Sequence, residues 1–128
     1  MTPADAAFVA DFEAGRVESF HHRDHVRLAW ACLELEPPVQ ALARFAAALK
    51  AFAASRGKPE LYHETITWAF LLLIQERRVT QPAAEFEAFA ARNSDLLAWK
   101  PSILDRYYRK ETLASDLARR VFLMPDAA

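Results

Sequence analysis

Three of the chain's four histidines, His21, His22 and His25, fall within five positions in the stretch SFHHRDHVRLAW, and the fourth, His63, stands in LYHETITWAF. Imidazole titrates nearest neutral pH of all side chains and is the commonest protein ligand for transition metals. On a helix, residues four apart share a face, so His21 and His25 can offer two ring nitrogens to one cation. His63 supplies a third ligand if the fold brings it close, with Glu64, Asp24 or a water as a fourth or outer partner. Three neutral ligands and an open position suit Zn2+, Fe2+ or Mn2+ poised to activate water for hydrolytic or redox chemistry on a small molecule. In that scheme Glu64 or Asp24 acts as base or orienting group, and Tyr107 or Tyr108 faces the substrate. Nothing in the spacing identifies the metal.

The charges that follow the cluster set its facing. A helix turns about 100° per residue, and with His21 at zero, Arg23, Arg27 and Glu34 gather near about 220°. The opposite side, near about 40°, holds His25, with Leu28 and Cys32 beside it and His22 off to one flank. His25 is therefore expected to look inward. His21 joins it only if the helix has already begun at that position, because a cap residue points elsewhere.

Two other readings compete with a metal site. Helix N-termini carry partial positive charge, which disfavours a cation and favours an anion, so His, Arg23 and Tyr62 would instead cradle a carboxylate or phosphate. In the plainest reading the histidines are structural, His63 helping to cap its helix. The function is then either that of a metal enzyme or that of a non-catalytic module binding a small ligand, an anion or another protein. In the second case surplus exposed apolar surface would mark a homodimer face.

Breakers define the elements that must position these residues. Thr2-Pro3 starts a first helix ending near Gly15. A second begins between Ser19 and Asp24 and runs to about Glu34, stopped by Pro37-Pro38. A third runs from Pro38 to about Ser55, with Val39, Leu42, Phe45, Leu49 and Phe52 at helical spacing. The fourth, Leu61 to Arg78, is apolar nearly all round and is expected to be the central element. Thr80 and Pro82 signal a fifth, ending at Asn93, followed by short pieces over Ser94–Ala98, Pro101–Tyr108 and Thr112–Phe122. Short connections make helices two, three and four run up, down and up, which puts the N-termini of two and four at one end and brings His63 toward His21 and His25. No stretch alternates long enough for a strand, so the expectation is an all-α, single-domain bundle of four or five main helices with a short helical C-terminal segment.

Thr67, one turn after His63, either lines the same pocket or bonds back to the His63 carbonyl, as buried threonines usually do. In WKPSILDRYYRKETLAS the aromatics either stack on a ligand and cover the histidine end, or cap the core. Cys32 reads as a structural thiol, with no base beside it in sequence.

Composition narrows the rest. The 128 residues suit one domain, and only two glycines favour helices over tight turns. Sixteen Lys and Arg against seventeen Asp and Glu leave no basic footprint for nucleic acid. The longest apolar run, Ile66 to Ile74, is too short to span a membrane, the start lacks a signal-peptide pattern, and a lone cysteine suits a reducing compartment, so a cytoplasmic protein is expected.

The blocks FHHRDHVRLAW and YHETITWAFLLL, followed by DLLAWKPSILDRYY, resemble those of small bacterial all-helical proteins. No established activity comes with that resemblance. DinB-like four-helix bundles are similar in a looser sense, being small, helical and equipped with a three-histidine metal site, although here the HxxxH pair precedes the single histidine.

Overall fold

Thr2 Oγ1 accepts the Asp5 amide at 3.1 Å while the Asp5 carboxylate accepts the Thr2 amide at 3.0 Å, and this reciprocal cap starts α1, Pro3–Glu13. The chain then turns at Gly15 and enters α2, His22–Leu35. His21 is its N-cap, and its amide is held by Asp24 Oδ2 at 2.9 Å. Pro37-Pro38 separates α2 from α3, Pro38–Ser55, which closes at Gly57, where a φ of 70° favours a residue without a Cβ. After a 3-10 turn at Pro59–Leu61, His63 caps α4, Glu64–Thr80. The remaining helices are short: α5 (Phe86–Arg92), α6 (Ser94–Leu97), α7 (Lys110–Leu113) and α8 (Asp116–Arg120), with a 3-10 turn at Ile103–Arg106. This computed structural model describes residues 1–127, which form an all-α domain without a named strand.

Helices α2 and α4 run parallel. Their N-terminal residues His22, His25 and His63 line one cavity, and their C-terminal ends are joined by Arg78 and Glu34 at 2.6 Å. Between them in sequence, α3 runs the other way, bringing Phe52 and Arg56 from its C-terminal end to the same cavity. The up, down, up order expected from the breakers is the observed one.

Three expectations about the elements change. The central helix is α2, not α4: residues Leu28 to Leu33 are buried without a break, and α2 packs on α1, α3, α4, α5 and α6. Its charges do not prevent this, because Arg23 pairs with Glu87 and Arg27 with Asp5. On α4, by contrast, Leu72 remains 48% exposed. The fifth helix starts at Phe86 rather than near Pro82, since the Pro82 carbonyl accepts from Arg92 at 2.6 Å and that of Ala84 from the Met1 ammonium at 2.7 Å. Those carbonyls are not left for a helical ladder. The expected Thr112–Phe122 helix is broken at Ser115, whose hydroxyl caps α8 through the Ala118 amide at 3.1 Å.

The core is continuous and aromatic on its α5 side, where Trp30, Phe86 and Phe89 meet with ring centroids about 6 Å apart. Cys32 is fully buried and its thiol is pushed up to about 12, chiefly by burial, as a structural cysteine should be. No helix of the described residues is long and apolar enough to cross a membrane.

Candidate ligand cavity

The helix N-termini enclose a cavity of about 540 Å3. Helix α3 gives it a stripe, Phe45, Leu49, Phe52 and Arg56, at the spacing that keeps residues on one helix face. Helix α4 adds Ile66, Thr67 and Phe70, and α2 adds His22, His25 and Val26. Trp99 and Leu61, 46% and 63% exposed, stand where the cavity meets solvent, and Arg119 of α8 completes the rim.

The histidines divide differently from the expectation. His21 is an exposed cap residue outside the lining, because the helix begins one position after it. With His22 as the first helical residue, His22, His25, Val26 and Ala29 share a face, and His22 lines the cavity instead of lying on the flank. His22 Nε2 donates to the Leu96 carbonyl at 2.8 Å, and the ring sits 4.9 Å from both Phe70 and Trp99, centroid to centroid. His25 does look inward, with its ring 4.2 Å from that of Phe20 and 6.3 Å from that of His22.

His63 is committed at both nitrogens. Nδ1 accepts the Ile66 amide at 3.1 Å, which leaves the proton on Nε2 to be donated to the Leu113 carbonyl at 2.8 Å. A metal would have to displace a helix cap or a buried hydrogen bond to reach it. Among the described residues no three His, Cys, Asp or Glu side chains are grouped to hold a metal ion, so the expected set of His21, His25 and His63 is not assembled.

The expected catalytic partners are also occupied elsewhere. Asp24 holds the cap of α2. Glu64 Oε1 accepts the Tyr62 hydroxyl at 2.6 Å and the Trp68 indole at 3.0 Å, and it fixes Tyr62 on the wall without itself lining the cavity. Tyr107 lies on a separate groove of about 300 Å3 between α4 and the C-terminal segment, together with Tyr108 and Met124. Arg23, expected near the anion, pairs outside the cavity with Glu87 at 2.7 Å. Thr67 donates to the His63 carbonyl at 2.7 Å, the back-bonding role, while still touching the cavity.

Burial keeps the lining uncharged over most of its area. It pushes His25 down to about 4, helped by neighbouring His22 and opposed by the His21 carbonyl and Asp24. His22 and His63 are lowered by the same cause, against the carbonyls of Leu96 and Leu113. Tyr62 is held well above the usual phenol range by burial and then by the Glu64 hydrogen bond. Near neutral pH the imidazoles are thus neutral, and the fixed charges on the lining are the guanidiniums of Arg56 and Arg119. Comparison with protein-family models, curated proteins and solved structures gives no match. The chemistry of the cavity must speak for itself.

Among the described residues no serine or cysteine lines the cavity, and Thr67 Oγ1 is turned to a carbonyl rather than to an imidazole base. His22 is oriented by a neutral carbonyl and not by a carboxylate. A His63→Ala variant should lose about 1–2 kcal/mol in chemical denaturation, because the Ile66 amide loses its cap and the Leu113 carbonyl its donor. His63→Asn, which keeps a capping acceptor, should recover part of the loss. Equal stability of all three proteins would rule out the capping role.

Two lining groups escaped the sequence reading. Arg56 was discoverable, since it continues the Phe45, Leu49, Phe52 stripe at helical spacing. Arg119 was not, because only the tertiary placement of α8 brings it to the rim.

Proposed function

We propose that this protein is a non-catalytic binding module for small, mainly apolar organic molecules. One observation carries the reading: a cavity of about 540 Å3, within the size range of small-molecule sites, walled by aromatic and aliphatic side chains with a few polar groups at fixed positions. The absence of a nucleophile beside a base on that wall favours binding without turnover. The neutral imidazoles of His22 and His25 act as oriented hydrogen-bonding groups, and Tyr62 is pinned by Glu64 for the same purpose.

Calorimetric titration with 1-octanol tests this. One saturable site is expected in the parent, and loss of it in Ala53→Phe, which fills the cavity from α3 while its melting temperature stays near that of the parent. No saturable binding in the parent, or unchanged binding in Ala53→Phe, would overturn the reading. Zinc, iron or manganese at one equivalent in untagged protein, lost in His25→Ala, would replace it with a metal centre.

A further inference from the structure

The distribution of charge on the lining is one-sided. Among the described residues it contains two guanidiniums, three imidazoles and a phenol, and no aspartate or glutamate, in a chain where acids slightly outnumber bases. The nearby acids are turned to other tasks. Glu64 holds Tyr62 and Trp68, and Glu18 and Glu60 meet the arginines through their backbone carbonyls, their side chains off the lining. Asp24 stays on the α2 cap.

Arg56 and Arg119 also differ from most arginines of the bundle, although Arg92 likewise donates to a carbonyl, that of Pro82, and lies off the cavity lining. Arg23, Arg27, Arg44, Arg77 and Arg78 each pair with a carboxylate. Arg56 instead donates through Nη2 to the carbonyls of Val17, at 3.1 Å, and Glu18, and its guanidinium lies 4.7 Å from the centre of the Phe52 ring. Arg119 donates through Nη1 to the Glu60 carbonyl at 2.7 Å. Neither has a carboxylate partner among the described residues, and each guanidinium retains N–H donors beyond those bonds. The bonds to backbone steady the two side chains without neutralising them.

Depth is ordered as well. Phe45, Leu49 and Phe70 are buried, whereas Arg56 is exposed. The wall is therefore apolar inside and cationic at the rim, complementary to a molecule with a hydrocarbon body and one anionic end. A guanidinium fork matches the planar geometry of a carboxylate.

Resting on the proposed binding of an apolar molecule, we infer that the ligand class of this cavity is an amphipathic monocarboxylate, its head met by Arg56 and Arg119 and its body lying against Phe45, Leu49, Phe52 and Phe70. An ammonium head would meet only like charge there, and a neutral head would leave both guanidiniums without an acidic partner.

Titration of the whole protein with three probes of equal chain length tests the inference: 1-octanol, octanoate and octylammonium. Octanoate should bind about tenfold or more tighter than octanol, the scale of a charge-assisted hydrogen bond, and octylammonium weakest. Arg56→Gln and Arg119→Gln should each remove about fivefold or more of the octanoate affinity and leave octanol within about twofold, which also shows that the cavity survives the substitution. Octanoate binding no tighter than octanol, or an octanoate advantage that persists in the double variant, would overturn the anionic class while leaving apolar binding intact. Failure of all three probes would overturn both.

Discussion

Acidification from pH 6.5 to pH 4 will cost the fold on the order of 3 kcal/mol through His25 alone. Burial holds the folded-state His25 near about 4 against an unfolded value of 6.5, and each unit of that difference is worth about 1.4 kcal/mol. The sign follows from proton counting. Between the two values the unfolded chain binds the proton and the folded chain does not, so stability is complete above pH 6.5, falls as pH drops, and levels off below about 4. His22 and His63, lowered for the same reason, add to the loss in the same direction. Carboxylates with lowered values, such as Glu13 and Asp95 beside Arg44 and Arg77, add to the loss only at the acid end of this window, as pH falls through their unfolded values of 4.5 and 3.8, and continue below it. Urea unfolding at half-unit steps checks this, with His25→Gln as the comparison. The variant should show a shallower slope between pH 6.5 and 4. An unchanged slope in that window would show that His25 does not drive it.

The second large effect lies away from the cavity. Phe89→Ala should lose about 3–5 kcal/mol, the cost of emptying a fully buried aromatic site. Phe89 is fully buried with its ring 6.1 Å from Trp30, and this contact, with that of Phe86 to the same indole at 5.9 Å, clamps α5 onto α2. The following α6 carries Leu96, whose carbonyl holds His22, and the chain then reaches Trp99 on the cavity wall. Loss of Phe89 should therefore weaken octanol binding as well as the fold. Since domains of this size are stable by only about 5–15 kcal/mol, Phe89→Leu provides a milder variant that should remain folded and lose about 1–2 kcal/mol. A cost below about 1 kcal/mol for Phe89→Ala would show that the α5 clamp is dispensable.

How far these features could be read beforehand depended on the residue. Pro37-Pro38 and Gly57 punctuate α3 so strongly that both its ends agree with the sequence reading. The facing of His25 followed from the charges that had to stay near water, and those charges do lie on the other side of α2. The start of α2 was less legible, because histidine is not among the strongly favoured caps and His21 and His22 offer the same side chain at adjacent positions. One residue of register exchanged their roles, sending His21 to solvent and His22 into the wall. The fate of His63 depended on a carbonyl fifty positions away, at Leu113, which no local pattern announces. Tyr107 and Glu64 were misplaced for a related reason: sequence puts them near the right helix ends, but only packing decides which partner each meets.

The placement of the three tryptophans makes the molecule its own optical gauge. Trp30 is sealed in the core, Trp68 stacks on Phe122 at 5.0 Å, and Trp99 stands half in water against His22 on the cavity wall. A guest that displaces water from Trp99 would shift its emission to the blue, while protonation of His22 beside it would quench the same indole. Occupancy and acidity would then be read as separate colour and intensity signals from one side chain, without an added dye.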